Sequence, residues 1–318
     1  MTEKAVAKRD RPRAAIARRW GRRALKWGFA AALLYSLGVL VVTYAITHPI
    51  RFAPRDSPRR HGLPQEDVAL TTSDGVRLAA WHVPRADRRG TVVVVHGNAG
   101  NREQMLPQVL MLHQAGFAVL APDLRGAGTS DAARRTFGYE ERLDVAAAVE
   151  WLREQPGGDG EPIAALGVSM GAAACTLSLN EGTRFDALIL DSTFAHLDEV
   201  VPGQFWAMPP GLREAFARSV ERAAEQSLDL KTSDVNPATV LAAHPEVPVL
   251  VIHGDQDRLA PVAQAEKLRD AAGHADLWIV PRAGHAKTQA TAPSEYEERV
   301  VAFLRQHLRR GVTAPASE

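Results

Sequence analysis

The feature that most constrains the fold is a regular alternation, from residue 66 onward, between short apolar runs and longer segments with a helical apolar period. Strands that alternate with helices are typical of βαβ units, which build a largely parallel α/β sheet. The run 92–95, four consecutive valines, is apolar on both faces, which indicates that helices cover both sides of the sheet. The pattern predicts strands at 68–71, 76–83, 91–96, 118–122, 163–168, 187–191, 249–253 and 277–280, and helices at 102–114, 140–155, 170–179, 263–271 and 295–308.

Two intervals depart from this alternation of strands and helices. Asp74-Gly75 between the first two predicted strands is a hairpin signal, so we expect the sheet to begin with an antiparallel pair. Farther on, residues 194–243 separate two predicted strands where only a few residues are normally needed. Phe205, Trp206 and Met208 precede a helical pattern in this insertion, which predicts a small helical cap that supplies apolar substrate contacts. The alternative is a surface excursion that packs on the sheet.

An uncharged apolar segment of 21 residues, 27–47, precedes the predicted domain. A helix rises 1.5 Å per residue, so a segment of this length spans the ~30 Å hydrocarbon core of a bilayer. Ten Lys/Arg residues stand before it, and such basic flanks usually stay in the cytoplasm. The sequence therefore predicts a single-pass membrane protein with a basic cytoplasmic tail (1–26), a transmembrane helix (27–47), a linker (48–65) and an extracytoplasmic domain (66–318).

Three alternatives for the apolar segment stay open. A cleaved secretory signal normally has a shorter apolar core and a small-residue cleavage site, and neither is clear here. Arg22-Arg23, followed by Ala24-Leu25-Lys26, loosely resembles a twin-arginine export signal. A buried core helix would show polar periodicity, which the segment lacks. The linker is also basic, so the predicted orientation depends on the excess of charge on the N-terminal side.

The charge distribution argues against a nucleic acid partner, and the cysteine and histidine pattern argues against a disulfide or a metal site. Residues 1–60 carry 14 Lys/Arg against 3 Asp/Glu, whereas the remainder carries 24 against 34. An acidic folded part repels phosphate backbones, so no nucleic acid partner is expected. Cys175 is the only cysteine, so no intramolecular disulfide can form. No Cys/His cluster has metal-ligand spacing and no phosphate-binding loop is present, so neither a metal nor another cofactor is expected.

The pentapeptide Gly167-Val168-Ser169-Met170-Gly171 follows the predicted strand 163–168 and precedes a helical stretch of small residues. In such a strand-to-helix turn the serine hydroxyl projects outward, and the flanking glycines remove side chains that would clash. The N-terminus of the following helix favours developing negative charge. This context predicts that Ser169 is a nucleophile, with a purely structural glycine-rich turn as the alternative.

A serine nucleophile needs a base to accept its proton and an acid to orient that base. Asp255 and Asp257 directly follow the predicted strand 249–253, at the strand end where open α/β sheets build their sites. His285 stands in the loop after the last predicted strand and is the best placed of the eleven histidines. One of the two aspartates is expected to be the acid, and the other caps a turn through its side chain.

Together these motifs resemble the α/β-hydrolase superfamily over nearly all of residues 66–308. The resemblance implies the α/β-hydrolase fold, and it favours Asp257 as the acid because that position ends a His-Gly-x-x-Asp pattern. It also implies an oxyanion hole after His96-Gly97, with the backbone N–H groups of Asn98 and Met170 as donors. His96 itself is then an orienting or packing residue.

The function implied by this resemblance is that of a serine hydrolase that cleaves a carboxylic ester or thioester through an acyl-enzyme. A membrane segment beside an apolar cap favours an apolar, lipid-like acyl substrate. The alternatives are a peptidase of the prolyl-oligopeptidase type without a propeller domain, an acyltransferase, and a non-catalytic membrane-anchored scaffold. Nothing in the sequence indicates the oligomeric state.

Overall fold

The computed structural model describes residues 11–48 and 50–308, with side chains from residue 16 onward. Residues 1–10 of the predicted tail and 309–318 of the predicted domain lie outside the described part, as does Pro49. The first strand begins at Glu66, where the domain was predicted to start.

Within the described residues, eight strands form one sheet in the order β1-β2-β4-β3-β5-β6-β7-β8. β1 pairs antiparallel with β2, and β2 antiparallel with β4, while every other pairing is parallel. The predicted α/β class, with an antiparallel opening and a parallel core, is therefore confirmed. The strands are β1 (Glu66–Thr71), β2 (Arg77–Val83), β3 (Thr91–Val95), β4 (Ala118–Pro122), β5 (Ile163–Val168), β6 (Ala187–Asp191), β7 (Val249–Gly254) and β8 (Ala275–Val280).

Helices cover both faces of this sheet, as the apolar strands predict. The helices are α1 (Arg11–Thr47), α2 (Leu106–Gln114), α3 (Glu141–Glu154), α4 (Met170–Leu177), α5 (Leu197–Val200), α6 (Leu212–Leu228), α7 (Pro237–Ala243), α8 (Val262–Ala272), α9 (Thr288–Thr291) and α10 (Pro293–His307). Residues of α2 and α10 form one buried cluster with the sheet, and residues of α3, α4, α7 and α8 form the other. Strands β3 to β6 are fully buried between the two layers, which makes their carboxyl ends a rigid support.

The insertion between β6 and β7 is helical, and its parts have different positions. α7 contacts α4 and α8 and so belongs to the layer that covers the sheet. α6 contacts α1 instead, and Phe216 and Val220 of α6 form a small buried cluster with Val39. Only the part of the insertion before α7 can therefore act as a cap.

Helix α1 is longer than the predicted membrane segment. It begins at Arg11, so the second part of the predicted basic tail is helical and continues into the apolar segment. Within it, residues Ile16–Thr47 are long and apolar enough to cross a membrane, judged by length and composition. The predicted linker contacts the domain, since the Asn101 side chain donates to the Phe52 carbonyl oxygen over 2.8 Å.

Candidate active site

Ser169 occupies the turn between β5 and α4 with a backbone φ of 54°, a left-handed conformation that non-glycine residues rarely adopt. A Cβ at Gly171 would overlap the carbonyl oxygen of Val95, and a Cβ at Gly167 would overlap the backbone of Ala172. Glycine is therefore required on both sides of the serine. Strained backbone of this kind persists where the surrounding structure enforces it, often at a functional site.

Ser169, His285 and Asp257 meet at the carboxyl end of the sheet, although they are far apart in the chain. Ser169 Oγ lies 2.9 Å from His285 Nε2, and His285 Nδ1 lies 2.7 Å from Asp257 Oδ2. The Asp257 side chain is fully buried, and its Oδ1 accepts the backbone N–H groups of Leu259 and Ala260, each over 2.9 Å. These bonds hold the carboxylate toward the imidazole, so the three side chains form one continuous hydrogen-bonded chain.

Asp255, the other candidate acid, does not contact His285. Its side chain is exposed, and its Oδ1 accepts the backbone N–H of Arg282 over 2.6 Å. That contact joins the loop after β7 to the loop after β8. Asp255 therefore acts as a turn-stabilising residue, and the position two residues later carries the carboxylate that faces the histidine.

The loop after β3 lies directly against the serine. A Cβ placed on Gly97 would be 3.5 Å from the Ser169 Cβ, and the Gly97 N–H donates to the Gln104 side chain over 3.0 Å. Asn98 and Met170 line the same cavity as Ser169. Met170 begins α4, and the first N–H groups of a helix have no acceptor within that helix. The two residues predicted to provide oxyanion donors therefore both line the cavity that contains Ser169.

His96 is fully buried behind this loop and has both ring nitrogens engaged. The backbone N–H of Leu124 donates to Nε2 over 3.0 Å, so the proton is on Nδ1 and is donated to the Gly97 carbonyl oxygen over 2.8 Å. Burial lowers the pKa of His96 to about 4. A neutral ring with no free nitrogen orients the loop and cannot accept a proton from a substrate.

Arg135 is a functional candidate that no sequence motif indicated. Its side chain is almost fully buried, and its guanidinium donates to the carbonyl oxygen of Asn98. Its backbone N–H donates over 2.8 Å to the carbonyl oxygen of Thr47, the last residue of α1. A single residue thus connects the end of the apolar helix to the loop beside the serine. Only these contacts distinguish it from the many other arginines in the chain.

Asp191, at the carboxyl end of β6, is a second residue that the sequence did not single out. Its buried carboxylate accepts hydroxyl hydrogen bonds from Thr288, Tyr296 and Ser192 over 2.6, 3.1 and 2.8 Å. Burial raises the pKa of this carboxyl group. Its backbone carbonyl oxygen accepts the Ser169 N–H over 2.8 Å. Asp191 therefore connects α9 and α10 to the turn that holds Ser169. In sequence it is one aspartate at a strand end, which is too common a pattern to be informative.

A cavity of about 720 Å³ lies above Ser169 and His285. Its walls are mostly apolar, and its volume is in the range typical of small-molecule sites. Apolar side chains from the insertion after β6, which includes α6, and from the end of α1 line this cavity. They are Phe194, Leu197, Val200, Val201, Phe205, Val220, Ala224 and Ile46. Among the residues that the structure describes, no group of three or more His, Cys, Asp or Glu side chains could hold a metal ion.

The sheet order, the serine turn and the cavity above it define the class, and the protein is a hydrolase with the α/β-hydrolase fold. The model of the prolyl oligopeptidase family matches residues 104–311, and the chain belongs to that family.

The chain is similar to proteins from bacteria and from yeasts. The chain is 33% identical over 223 residues to "Uncharacterized protein Rv2307c" of Mycobacterium tuberculosis, covering 69% of this chain and 72% of that protein. It is 26% identical over 268 residues to "Protein bem46" of Schizosaccharomyces pombe, covering 79% and 83%. Among solved structures, the Pyrococcus furiosus esterase Pf2001 superposes with a TM-score of 0.70 at 26% identity, covering 83% of this chain and 98% of the esterase.

Proposed function

We propose that this protein is a serine hydrolase that cleaves a carboxylic ester or thioester with an apolar acyl group. The observation that carries the proposal is the hydrogen-bonded chain Ser169–His285–Asp257 at the floor of a mostly apolar cavity. Similarity to the Pyrococcus furiosus esterase supports ester hydrolysis over other acyl transfers.

The proposed mechanism depends on proton transfer through His285. Asp257 faces His285 Nδ1 and favours the tautomer with its proton there, which leaves Nε2 free to accept the Ser169 proton. The serine oxygen attacks the acyl carbon, and the resulting oxyanion is stabilised by the N–H groups of Asn98 and Met170. The imidazolium returns the proton to the leaving alcohol or thiol. Water, deprotonated by His285, then attacks the acyl-enzyme and releases the carboxylic acid and Ser169.

A peptidase is the second candidate, because the family that the chain belongs to takes its name from prolyl oligopeptidase. The cavity favours the ester over the peptide, since its lining is mostly apolar and offers few partners for a peptide backbone. Hydrolysis of proline p-nitroanilides in preference to p-nitrophenyl esters would reverse this order. An acyltransferase shares every residue named above and differs only in an alcohol that replaces water as the acceptor.

Labelling by a fluorophosphonate tests the nucleophile. We expect the purified full-length protein to be labelled covalently and the Ser169→Ala variant to lose all labelling, because the phosphorus is attacked only by an activated hydroxyl. Ser178→Ala is the matched control, since that hydroxyl is fully buried and donates to the Cys175 carbonyl oxygen. Labelling that persists in Ser169→Ala would refute the assignment. Folded wild-type protein that is never labelled would favour the non-catalytic scaffold.

We further propose that α1 anchors the protein with its N-terminus in the cytoplasm and the domain on the other side. The helix is long and apolar enough to cross a membrane, and a 27% identical relative in Saccharomyces cerevisiae, aligned over 46% of this chain and 52% of its own, is called "Uncharacterized membrane protein YNL320W". In right-side-out vesicles, a membrane-impermeant fluorophosphonate should label Ser169 without permeabilisation. Labelling that requires permeabilisation would place the domain in the cytoplasm.

A further inference from the structure

The second half of α1 packs against the cap helix α6 and is not a free membrane span. The Tyr35 hydroxyl lies 3.0 Å from the Ser219 hydroxyl, and the Tyr35 ring meets the Phe216 ring edge-on with centroids 5.6 Å apart. Val39 is buried against Phe216 and Val220. Val42 and Ile46 pack against the same cluster, so the contacts extend over about three turns of α1, and α1 and α6 form one packed pair.

The same pair forms a wall of the cavity above Ser169. Ile46 of α1 lines that cavity beside Val220 and Ala224 of α6. The end of α1 is also fixed, because the Thr47 carbonyl oxygen accepts the Arg135 N–H over 2.8 Å. Ile46 therefore has a defined position relative to the loop that faces the serine. A side chain at this position limits how far an acyl group can extend from the reacting carbon.

The opposite face of α1 is apolar and uncovered. Leu37, Leu40, Val41 and Tyr44 are each between 54% and 66% exposed. A contiguous apolar surface of this kind marks contact with a membrane or a partner. The length and hydropathy of the helix favour the bilayer as that partner. One helix, apolar on both sides, then separates the cavity from the lipid.

The position of α6 along α1 agrees with this arrangement. Tyr35 lies eight residues beyond Trp27, which is about 12 Å along a helix, so the contacts with α6 begin within the apolar segment. The side of α6 that faces away from α1 exposes Arg218 and Arg222. Long basic side chains can keep their apolar stems in the interface and direct their charges to lipid headgroups. Because α6 also carries Arg213, Glu214, Glu221 and Glu225, it is suited to the membrane–water interface and not to the hydrocarbon core.

Building on the proposed serine hydrolase function, we infer that Ile46 of the anchor helix determines acyl-chain specificity, and that the substrate is a bilayer-resident ester with a medium or long acyl chain. The acyl chain lies along the cavity wall that α1 and α6 form together, while its carbonyl carbon lies at Ser169. Anchoring and substrate selection are then two functions of the same helix.

The test measures kcat/KM for p-nitrophenyl butyrate, octanoate, laurate and palmitate with full-length protein in phosphatidylcholine nanodiscs. We expect the wild type to prefer octanoate or longer chains. Ile46→Trp should lower the laurate-to-butyrate ratio of kcat/KM about tenfold or more, because loss of room for even one or two methylenes changes specificity by that order. Ile46→Ala should raise the palmitate-to-laurate ratio, and it serves alone if the tryptophan variant does not fold.

Val41→Trp is the matched control, since it places a tryptophan on the exposed face of the same helix. Its chain-length ratios should equal those of the wild type. The inference is overturned if the Ile46 variants have the wild-type profile, or if the wild type prefers butyrate. Fluorophosphonate labelling is measured on every sample, so an inactive serine would be recognised as failure of the proposed function and not of the chain-length inference.

Discussion

Replacing Asp257 by asparagine should lower kcat for ester hydrolysis about 10⁴-fold with little change in fold. Asp257 Oδ2 faces His285 Nδ1 over 2.7 Å, and the carboxylate stabilises both the required tautomer and the imidazolium that forms when Ser169 loses its proton. An amide removes that negative charge and can present an N–H to the same nitrogen, which favours the wrong tautomer. The measurement is kcat for p-nitrophenyl octanoate, with circular dichroism to verify folding.

Asp255→Asn is the matched control, because it makes the same chemical change two residues away. Asp255 is exposed, and its side chain accepts the Arg282 N–H of the loop after β8. We expect kcat to change by no more than about twofold, as for most surface substitutions. A large loss in Asp255→Asn together with nearly normal activity in Asp257→Asn would exchange the roles of the two aspartates.

Replacing Arg125 by methionine should reduce the free energy of unfolding by about 3–5 kcal/mol, because it removes one partner from a buried ion pair. The Arg125 side chain is 2% exposed, and its Nε donates over 2.8 Å to Asp144, whose side chain is fully buried. It also donates to Asp74 over 2.7 Å. Burial alone would lower the pKa of the guanidinium, but the two carboxylates outweigh that effect and raise it. Urea unfolding in detergent micelles, followed by tryptophan fluorescence, measures the loss.

Two further variants distinguish the cost of an uncompensated buried charge from the cost of lost packing. In Arg125→Met/Asp144→Asn the uncompensated charge is gone while an acceptor for the Arg125 backbone N–H remains, so part of the stability should return. Arg77→Met breaks the exposed pair with Asp131, where the side chains are 78% and 40% exposed, and should cost at most about 1 kcal/mol. Equal losses in Arg125→Met and Arg77→Met would contradict the role assigned to burial.

Much of the site was predictable because its parts are built from local sequence. Ser169 was identifiable because a strand, a glycine, a serine and a small-residue helix occur in consecutive positions, and the strained turn needs just those residues. The position of His285 followed from the order of strands along the chain. The choice between Asp255 and Asp257 did not follow from their common strand end, and family resemblance was needed to favour one of them.

Other features could not be predicted, since each depends on residues far apart in the chain. Asp191 joins β6 to α9 and α10 through Thr288 and Tyr296, about one hundred positions away. Arg135 joins the end of α1 to the loop at Asn98. The apolar segment was correctly expected to be helical, but its pairing with α6 was not expected, because composition alone does not distinguish a face that packs on protein from one that faces lipid.

By itself, the sequence determined the α/β class, the antiparallel opening of the sheet, the serine turn, and a helix long enough for a membrane. These properties depend on periodicity and turn chemistry, which act between residues a few positions apart. Only the tertiary structure decided which aspartate faces His285, which buried charges support the loop and the serine turn, and that Ile46 of α1 lines the cavity. Those properties depend on contacts between elements that are far apart in the chain and come together only in the folded protein.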